Sequence, residues 1–342
     1  MNLEQIKSKL HTSEYDFLRN NEHLGKNIIL LTLGGSHAYG TETPNSDLDI
    51  RGITLNSKTE ILTDENFEQV DDKVTDTVIY SFNKIIKLLL NLNPNTCEML
   101  GCKPEHYLYL HPIGQELLDN AHLFLSKKCV NSFGGFANSQ CRRMSNKAVR
   151  EVGQEERERH ILNSIMNACY TWSEKYFYFD EDNIKLYVDT AIQEGYDTEI
   201  FMDVNLHHYP LRDYKSMLSE MHNIVKDYAK IGRRNKNAIE HGKIGKHMMH
   251  LVRLYFMCFD ILEQEKIITY REKEHDLLMD IRNNKYLDDN GQPSSEFYEM
   301  VDELEKRMEY AKTNTSLPEK PEYKSIREFT ASVNERIVKG LV

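Results

Sequence analysis

The sequence predicts an α/β core followed by a mostly α-helical second half. Short apolar runs of strand length lie within residues 1–120, and helical periodicity dominates the chain after that. Apolar residues make up 40% and charged residues 28% of the 342 residues, which excludes disordered and low-complexity classes. We therefore predict two domains, residues 1–120 and residues 121–342, with an insertion at about 155–230 in the second.

Three runs in the first domain are predicted strands. Asn27–Leu33 (NIILLTL) is a continuous apolar run, Leu48–Leu55 (LDIRGITL) is a second, and Val74–Tyr80 (VTDTVIY) carries β-branched residues at alternate positions. Phe82–Leu92 shows helical periodicity. This helix is expected to end before Pro94, because proline disfavours helical geometry in the preceding residue.

The second half is predicted to be helical, apart from one segment. The predicted helices are residues 135–150, 155–175, 212–230, 242–265, 272–282 and 295–312. Residues 176–211 are rich in Tyr, Phe and Asp, have no helical stripe and are compatible with strands. A short amphipathic helix is expected at the C-terminal end.

Charge and cysteine content limit the function classes. With 43 Lys and Arg against 54 Asp and Glu, the net charge is −11, which argues against broad coating of nucleic acid but permits a local basic surface. The 6 cysteines are irregularly spaced and are expected to be reduced. Because neither a secretory signal nor a membrane span is visible, we expect a cytoplasmic protein without a membrane partner.

The segment with the clearest chemistry is Leu33–Ile53, LGGSHAYGTETPNSDLDIRGI. It joins an apolar strand to a polar connection and then to a second strand. Gly34 and Gly35 lack a Cβ, so the backbone there can approach a phosphate closely, and Ser36 adds a hydroxyl donor. These three residues are the predicted phosphate-binding turn.

Two carboxylates follow this turn. In a strand, residues i and i+2 share a face, so Asp47 and Asp49 are expected to point the same way. Paired carboxylates suit Mg²⁺ or Mn²⁺, which take oxygen ligands and substrate phosphates. A third carboxylate on the neighbouring strand would complete a two-metal site; Asp76 is the best candidate, with Asp71 and Asp72 close by.

In this order, the motifs resemble those of the DNA polymerase β-type nucleotidyltransferase superfamily. GSHAYGT and SDLDIRGI, together with NPNTCEML (Asn93–Leu100), GKHMMHLVRL (Gly245–Leu254) and LLMDIRNNKY (Leu277–Tyr286), are similar to predicted nucleotidyltransferases of bacteria and phages. The resemblance implies an α/β (α+β) nucleotidyltransferase core with a mixed sheet. It also implies transfer of a nucleoside monophosphate from a nucleoside triphosphate such as ATP to an acceptor hydroxyl, with release of pyrophosphate. The catalytic and metal-binding residues would be Asp47, Asp49 and Asp76.

The acceptor stays open on this basis. An RNA 3′ end, such as that of tRNA, is slightly favoured because of the basic clusters Arg142–Arg150 and Arg233–Lys236. A protein or small-molecule acceptor, a non-catalytic nucleotide-binding regulator and a metal-dependent phosphohydrolase are the alternatives. For a phage-encoded protein, the cytoplasm would be that of the host. The oligomeric state is not predicted.

A second set of candidates lies in the predicted helix 242–265. Lys246, His250 and Arg253 are spaced i, i+4 and i+7, share one helix face and are predicted to bind phosphate; a solvated surface is the alternative. The histidines nearby lack the partners that would complete a zinc site. Glu98, by resemblance only, is expected to support the site or orient a base.

Overall fold

The structure is a computed structural model that describes most of the chain. The described residues are 3–63, 65, 67–134, 137, 159, 161–163, 165–166, 172–176, 184–190, 192, 198–223, 244–289 and 291–342. The chain packs into two compact units. The first consists of Met1–Ala137, Met248–Lys285 and Glu296–Val342, and the second of Asn138–His247 and Tyr286–Ser295.

A mixed five-stranded sheet forms the centre of the first unit. Its strands are β1 (Ile28–Leu33), β2 (Ile50–Thr54), β3 (Gln69–Asp72), β4 (Thr77–Ser81) and β5 (Tyr107–Leu110). In space they lie in the order β3-β4-β2-β1-β5. The β2–β4 pair is parallel, and the other neighbouring pairs are antiparallel. The predicted α/β core with a mixed sheet is confirmed.

The three predicted strands are present with shifted ends. All residues of β1 are buried, because β1 lies between β2 and β5 and carries only Ile, Leu and Thr side chains. The strands β2 and β4 begin two and three residues later than their apolar patterns predict. The sequence did not indicate β3 or β5, which are four-residue edge strands with incomplete burial.

Helices are short in the N-terminal part and longer near the C-terminus. The first are α1 (Leu3–Lys9), α2 (Phe17–Asn20), α3 (Gly35–Tyr39), α4 (Lys58–Thr63), α5 (Phe82–Leu89), α6 (Pro94–Cys97) and α7 (Pro112–Asp119). The later helices are α8 (Trp172–Lys175), α9 (residues 211–223), α10 (Ile244–Gln264), α11 (His275–Arg282), α12 (Ser295–Asn314) and α13 (Tyr323–Val338). The 3₁₀ turns are Ser13–Tyr15, Gly25–Asn27, Glu98–Leu100, Pro104–His106 and Ala121–Phe124, and Val130–Gly134 forms a π-helical turn.

The predicted helical second half is confirmed for the region 244–338. Predicted helices 242–265, 272–282 and 295–312 correspond to α10, α11 and α12. Predicted helix 135–150 lies almost wholly outside the described residues, and so do most of 155–175 and the end of 212–230. Within the part of the chain that is described, no helix has the length and apolar character that crossing a membrane requires.

Helix α5 shows how the local sequence determines where a helix begins, which of its faces is buried and where it ends. The Ser81 side chain caps it by accepting a hydrogen bond from the Lys84 N–H at 3.3 Å. Its buried residues recur every three or four positions, as predicted: Phe82, Ile85, Ile86 and Leu89. The helix ends at Leu89, three residues before the predicted end, because the Leu92 N–H turns back to the Leu89 carbonyl oxygen at 2.8 Å.

The second unit contains an antiparallel pair within the segment 176–211. Its strands are β6 (Ile184–Thr190) and β7 (Thr198–Val204). Ile184, Leu186 and Ile200 pack against a small buried core. That core consists of Ile161, Ile165, Trp172, Met217 and Met221.

The domain division at residue 120 stays a prediction. The packing joins segments that are distant in sequence, because Met248–Lys285 and Glu296–Val342 share a compact unit with Met1–Ala137. Residues 248–285 therefore belong with the sheet.

We expect Ile85→Ala to lower the free energy of unfolding by about 2–5 kcal/mol, because it leaves a cavity under α5. Ile85 is fully buried, and Lys87 on the same helix is exposed. Urea denaturation of Ile85→Ala and of the control Lys87→Ala measures the difference. Equal losses in the two variants would contradict this account of the helix.

Candidate active site

The candidate site begins where β1 ends. The Gly34 N–H donates to the Asp49 carbonyl oxygen at 2.9 Å. Gly35 has a φ of +54°, which glycine adopts without steric cost. A Cβ on Gly35 would lie 1.7 Å from Asp49 Oδ2, and one on Gly34 would lie 2.9 Å from Arg51 Cγ. The two glycines therefore allow Asp49 and Arg51 to pack against the turn.

This packing explains why glycine is needed at positions 34 and 35, which the sequence alone did not show. The sequence analysis assigned Gly34, Gly35 and Ser36 to a phosphate, whereas the packing of Gly34 and Gly35 is against protein side chains. Ser36 is buried in α3. The phosphate contacts of these three residues stay a prediction.

Asp47 and Asp49 lie in the irregular stretch that leads into β2, whereas the predicted strand Leu48–Leu55 included Asp49. Asp47 is exposed, and the Asp49 side chain is 19% exposed. Leu48 packs against the core and Ile50 is fully buried, so the expected alternation of core and site positions holds.

Asp76 is brought to Asp49 by the parallel pairing of β2 and β4. Ile50 pairs with Thr77, and the Ile50 N–H lies 3.4 Å from the Asp76 carbonyl oxygen. Asp76 is in a turn rather than in a strand, with a φ of +47° and a side chain that is 58% exposed. The predicted strand start at Val74 is wrong, because this residue is 85% exposed in the same turn.

The turn before β4 also distinguishes Asp76 from Asp71 and Asp72, the two nearby alternatives for the third carboxylate. Asp72 Oδ1 accepts hydrogen bonds from the Thr75 N–H and hydroxyl, both at 2.9 Å. Asp72 is thus used to close the turn, and Asp71 is exposed on β3. Of the three, Asp76 is the one beside Arg51.

Arg51 connects the carboxylates of the site. Its Nη2 lies 3.5 Å from Asp49 Oδ1 and 3.4 Å from Asp76 Oδ1. Its Nη1 donates to the Asp76 carbonyl oxygen at 2.6 Å and to that of Ile50 at 3.0 Å. A cationic side chain therefore lies between two of the predicted metal ligands.

The donor set suits a hard divalent cation. Asp47, Asp49 and Asp76 offer the carboxylate oxygens that Mg²⁺ and Mn²⁺ prefer, and all three precede the parallel strands β2 and β4 at the same ends. Among the described residues, no group of three or more His, Cys, Asp and Glu side chains already has the geometry of a metal site.

A buried polar cluster links α3, the short helix that begins at Gly35, to Glu98 and to α10. The Tyr39 hydroxyl donates to Glu98 Oε2 at 2.6 Å, and Arg253 Nη1 lies 3.5 Å from the same oxygen. The guanidinium carbon of Arg253 lies 3.6 Å from the centre of the Tyr39 ring. Burial raises the pKa of Glu98, while Arg253 and Tyr39 oppose the rise. Glu98 thus contacts Tyr39, the last residue of α3, and its support of the site stays a prediction.

The cations of α10 do not form one exposed stripe. Arg253 is 4% exposed and paired with Glu98, whereas Lys246 is exposed and belongs to the second unit. His250 presents its ring to Tyr39, with ring centres 6.1 Å apart. Helical spacing alone did not show that this face is exposed at Lys246 and buried at Arg253. Phosphate binding by Lys246, His250 and Arg253 stays a prediction.

Two arginines from the helical half, Arg271 and Arg282, form hydrogen bonds with α3 and with the loop between α3 and Asp47. The sequence analysis gave neither of them a role. Arg282 donates from Nη1 to the Thr41 carbonyl oxygen at 2.8 Å and from Nη2 to the Ser46 hydroxyl at 3.2 Å. The Arg271 N–H donates to the Tyr39 carbonyl oxygen at 2.9 Å. The only signal was that Arg282 lies in one of the blocks that resemble nucleotidyltransferases.

Two histidines with buried ring nitrogens lie near this loop. Nδ1 of His37 and Nδ1 of His106 have no hydrogen-bond partner among the described residues. Burial lowers the pKa of both rings, and the charge of Glu42 opposes this effect.

The remaining sequence candidates fall outside the described residues. Both basic clusters, Arg142–Arg150 and Arg233–Lys236, lie there. The described cysteines are free, in keeping with the reduced state expected from the sequence: Cys97, Cys102, Cys129 and Cys258.

A mixed sheet with a Gly-Gly-Ser turn that packs against an Asp-x-Asp motif is the arrangement of DNA polymerase β-type nucleotidyltransferases. The chain belongs to the RNA repair pathway DNA polymerase beta family, RlaP, whose family model matches residues 2–179, more than half of the chain. Membership implies a nucleotidyltransferase that acts in an RNA repair pathway. Comparisons with curated proteins and with solved structures gave no significant match.

We expect Gly35→Ala to destabilise the protein more than Gly340→Ala. Both glycines have positive φ, but a Cβ at Gly340 meets nothing within 4 Å, so only backbone strain of about 1 kcal/mol applies there. At Gly35, the added methyl group must also displace the Asp49 carboxylate. Thermal unfolding compares the two variants, and equal losses would contradict the contact between Gly35 and Asp49.

We expect acid to destabilise the protein partly through His106. Because burial lowers the pKa of this ring in the folded state, the unfolded chain takes up a proton more readily than the folded chain as the pH falls through about 6.5. The free energy of unfolding should therefore fall between pH 7.5 and pH 5.5 by less in His106→Gln than in the parent protein. The control is His122→Gln at an exposed position, which should keep the full decrease. An unchanged decrease in His106→Gln would refute this assignment.

Proposed function

We propose that the protein transfers a nucleoside monophosphate from a nucleoside triphosphate to the 3′ hydroxyl of an RNA, such as a tRNA, with release of pyrophosphate. The observation that carries the proposal is the contact of Asp49 with Gly35, with Asp47 and Asp76 beside the same strand ends. Together with the family, this favours a catalytic nucleotide site over a regulatory one, because all three candidate carboxylates are present in the sequence.

In this proposal, Asp47, Asp49 and Asp76 hold Mg²⁺ or Mn²⁺ in a two-metal site. When bound, these cations orient the phosphates and stabilise the charge on the attacking and leaving oxygens. The carboxylates bring three negative charges to one strand end, which favours cation binding there.

The remaining catalytic roles are assigned from where each residue lies in the site. The acceptor hydroxyl attacks the α-phosphorus, the bond to the bridging oxygen breaks, and pyrophosphate leaves with the electron pair. Asp76, the more exposed of the two carboxylates that Arg51 joins, accepts the hydroxyl proton. Gly34, Gly35 and Ser36 bind the β- and γ-phosphates in this scheme.

The RNA acceptor is supported by the family, which acts in an RNA repair pathway. The net charge of −11 means that RNA contacts must be local. The clusters Arg142–Arg150 and Arg233–Lys236 are the candidates for that contact. Binding should weaken as salt concentration rises, because such contacts release counterions from the RNA.

We expect Asp49→Ala to fold and to lose transfer activity by about 10²–10⁴-fold, equivalent to about 3–5 kcal/mol of transition-state stabilisation. The matched control is Asp71→Ala, which removes an exposed carboxylate from β3. The assay follows label from each α-labelled nucleoside triphosphate in Mg²⁺. Retained turnover in folded Asp49→Ala would refute the mechanism.

The acceptor is tested in the same assay with matched RNAs. RNA ending in a 3′ hydroxyl should take up label, and the same RNA ending in a 3′ phosphate should not. Label on protein or on a small molecule would replace the RNA acceptor. Nucleotide binding without any transfer, with a full set of RNAs, would favour a regulatory protein.

A further inference from the structure

Arg51 is part of the site, and the proposed function leaves its role open. It lies two residues after Asp49, and the two side chains meet at the start of β2. Nη2 faces the carboxylates of Asp49 and Asp76 at 3.5 and 3.4 Å. Nη1 is held by two main-chain oxygens, those of Ile50 at 3.0 Å and Asp76 at 2.6 Å. The main chain thus fixes the guanidinium independently of the carboxylates.

We propose that Arg51 is a positioning residue that makes the divalent cation and the nucleotide bind together. Its fixed positive charge weakens the binding of a free cation to Asp49 and Asp76 and strengthens the binding of a triphosphate. The cation therefore enters the site with the nucleotide. This inference rests on the proposed function, because it takes the two aspartates as cation ligands.

The geometry explains why this charge is effective. The side chains of Arg51 and Asp49 are each 19% exposed, so solvent screens their interaction less than at an open surface. A cation at the same oxygens would face a like charge within a few ångströms. A triphosphate approaching three carboxylates is repelled, and the positive charge of the guanidinium reduces that repulsion.

The proposal predicts opposite changes in two affinities. Arg51→Gln should bind Mn²⁺ about tenfold more tightly without nucleotide, and should bind ATP in EDTA about tenfold more weakly. A general structural defect would weaken both. Electron paramagnetic resonance measures the binding of Mn²⁺, and calorimetry measures the binding of ATP.

Further variants keep the test decisive. Arg51→Met is also neutral and retains an unbranched stem beneath Gly34, so it replaces Arg51→Gln if that variant does not unfold cooperatively. Arg51→Lys retains the charge and should stay close to the parent protein in both affinities. Arg336→Gln removes an arginine that pairs with Glu116 at 2.8 and 2.6 Å and should change neither affinity.

The outcomes separate this inference from the proposed function. If Asp49→Asn loses Mn²⁺ binding but the neutral Arg51 variants bind Mn²⁺ no more tightly than the parent, the role of Arg51 is wrong and the metal site remains. If Asp49→Asn leaves Mn²⁺ binding unchanged, the carboxylates are not the ligands, and both proposals fail. Tighter Mn²⁺ and weaker ATP binding in the neutral variants support the inference.

Discussion

The packing of Asp49 against the Gly34–Gly35 turn is the contact on which the candidate site depends. Because β1 and β2 are antiparallel neighbours, the end of β1 and the start of β2 meet, with Leu33 paired to Ile50. The turn after one strand therefore meets the carboxylates before the other. Parallel pairing of β2 with β4 then adds Asp76 at the same place. No side chain larger than hydrogen fits on Gly35 in this arrangement.

A second constraint is the cost of burying charge. Glu98 and Arg253 are both buried, and such groups are tolerated only when they are paired and hydrogen-bonded. Tyr39 completes the cluster, so the helix α10 is tied to the short helix that follows the glycines. Arg282 donates hydrogen bonds to the loop that follows this helix, at the Thr41 carbonyl oxygen and the Ser46 hydroxyl. The helical segments Met248–Lys285 and Glu296–Val342 thus complete the first unit.

The sequence selected the candidate carboxylates, whose role as metal ligands stays a prediction, but it did not indicate the residues that surround them. Spacing and strand context were enough to select Asp47, Asp49 and Asp76, and the structure brings Asp76 next to Asp49 through Arg51. The start of β4 was placed too early, because Asp72 and Thr75 close a turn that an alternating pattern does not register. Helical spacing grouped Arg253 with Lys246 correctly on one helix, but spacing does not determine whether that face meets solvent or core.

The sequence by itself determined the mixed α/β class, the helical second half and the motif that identifies the family, because these depend on patterns among neighbouring residues. Only the tertiary structure decided the strand order, the bridge that Arg51 makes and the burial of Arg253. Those features depend on residues such as Arg51 and Asp76, or Glu98 and Arg253, that are far apart in the chain. Local pattern carries no information about which distant side chains pack together, since sheet register and helix docking determine that contact.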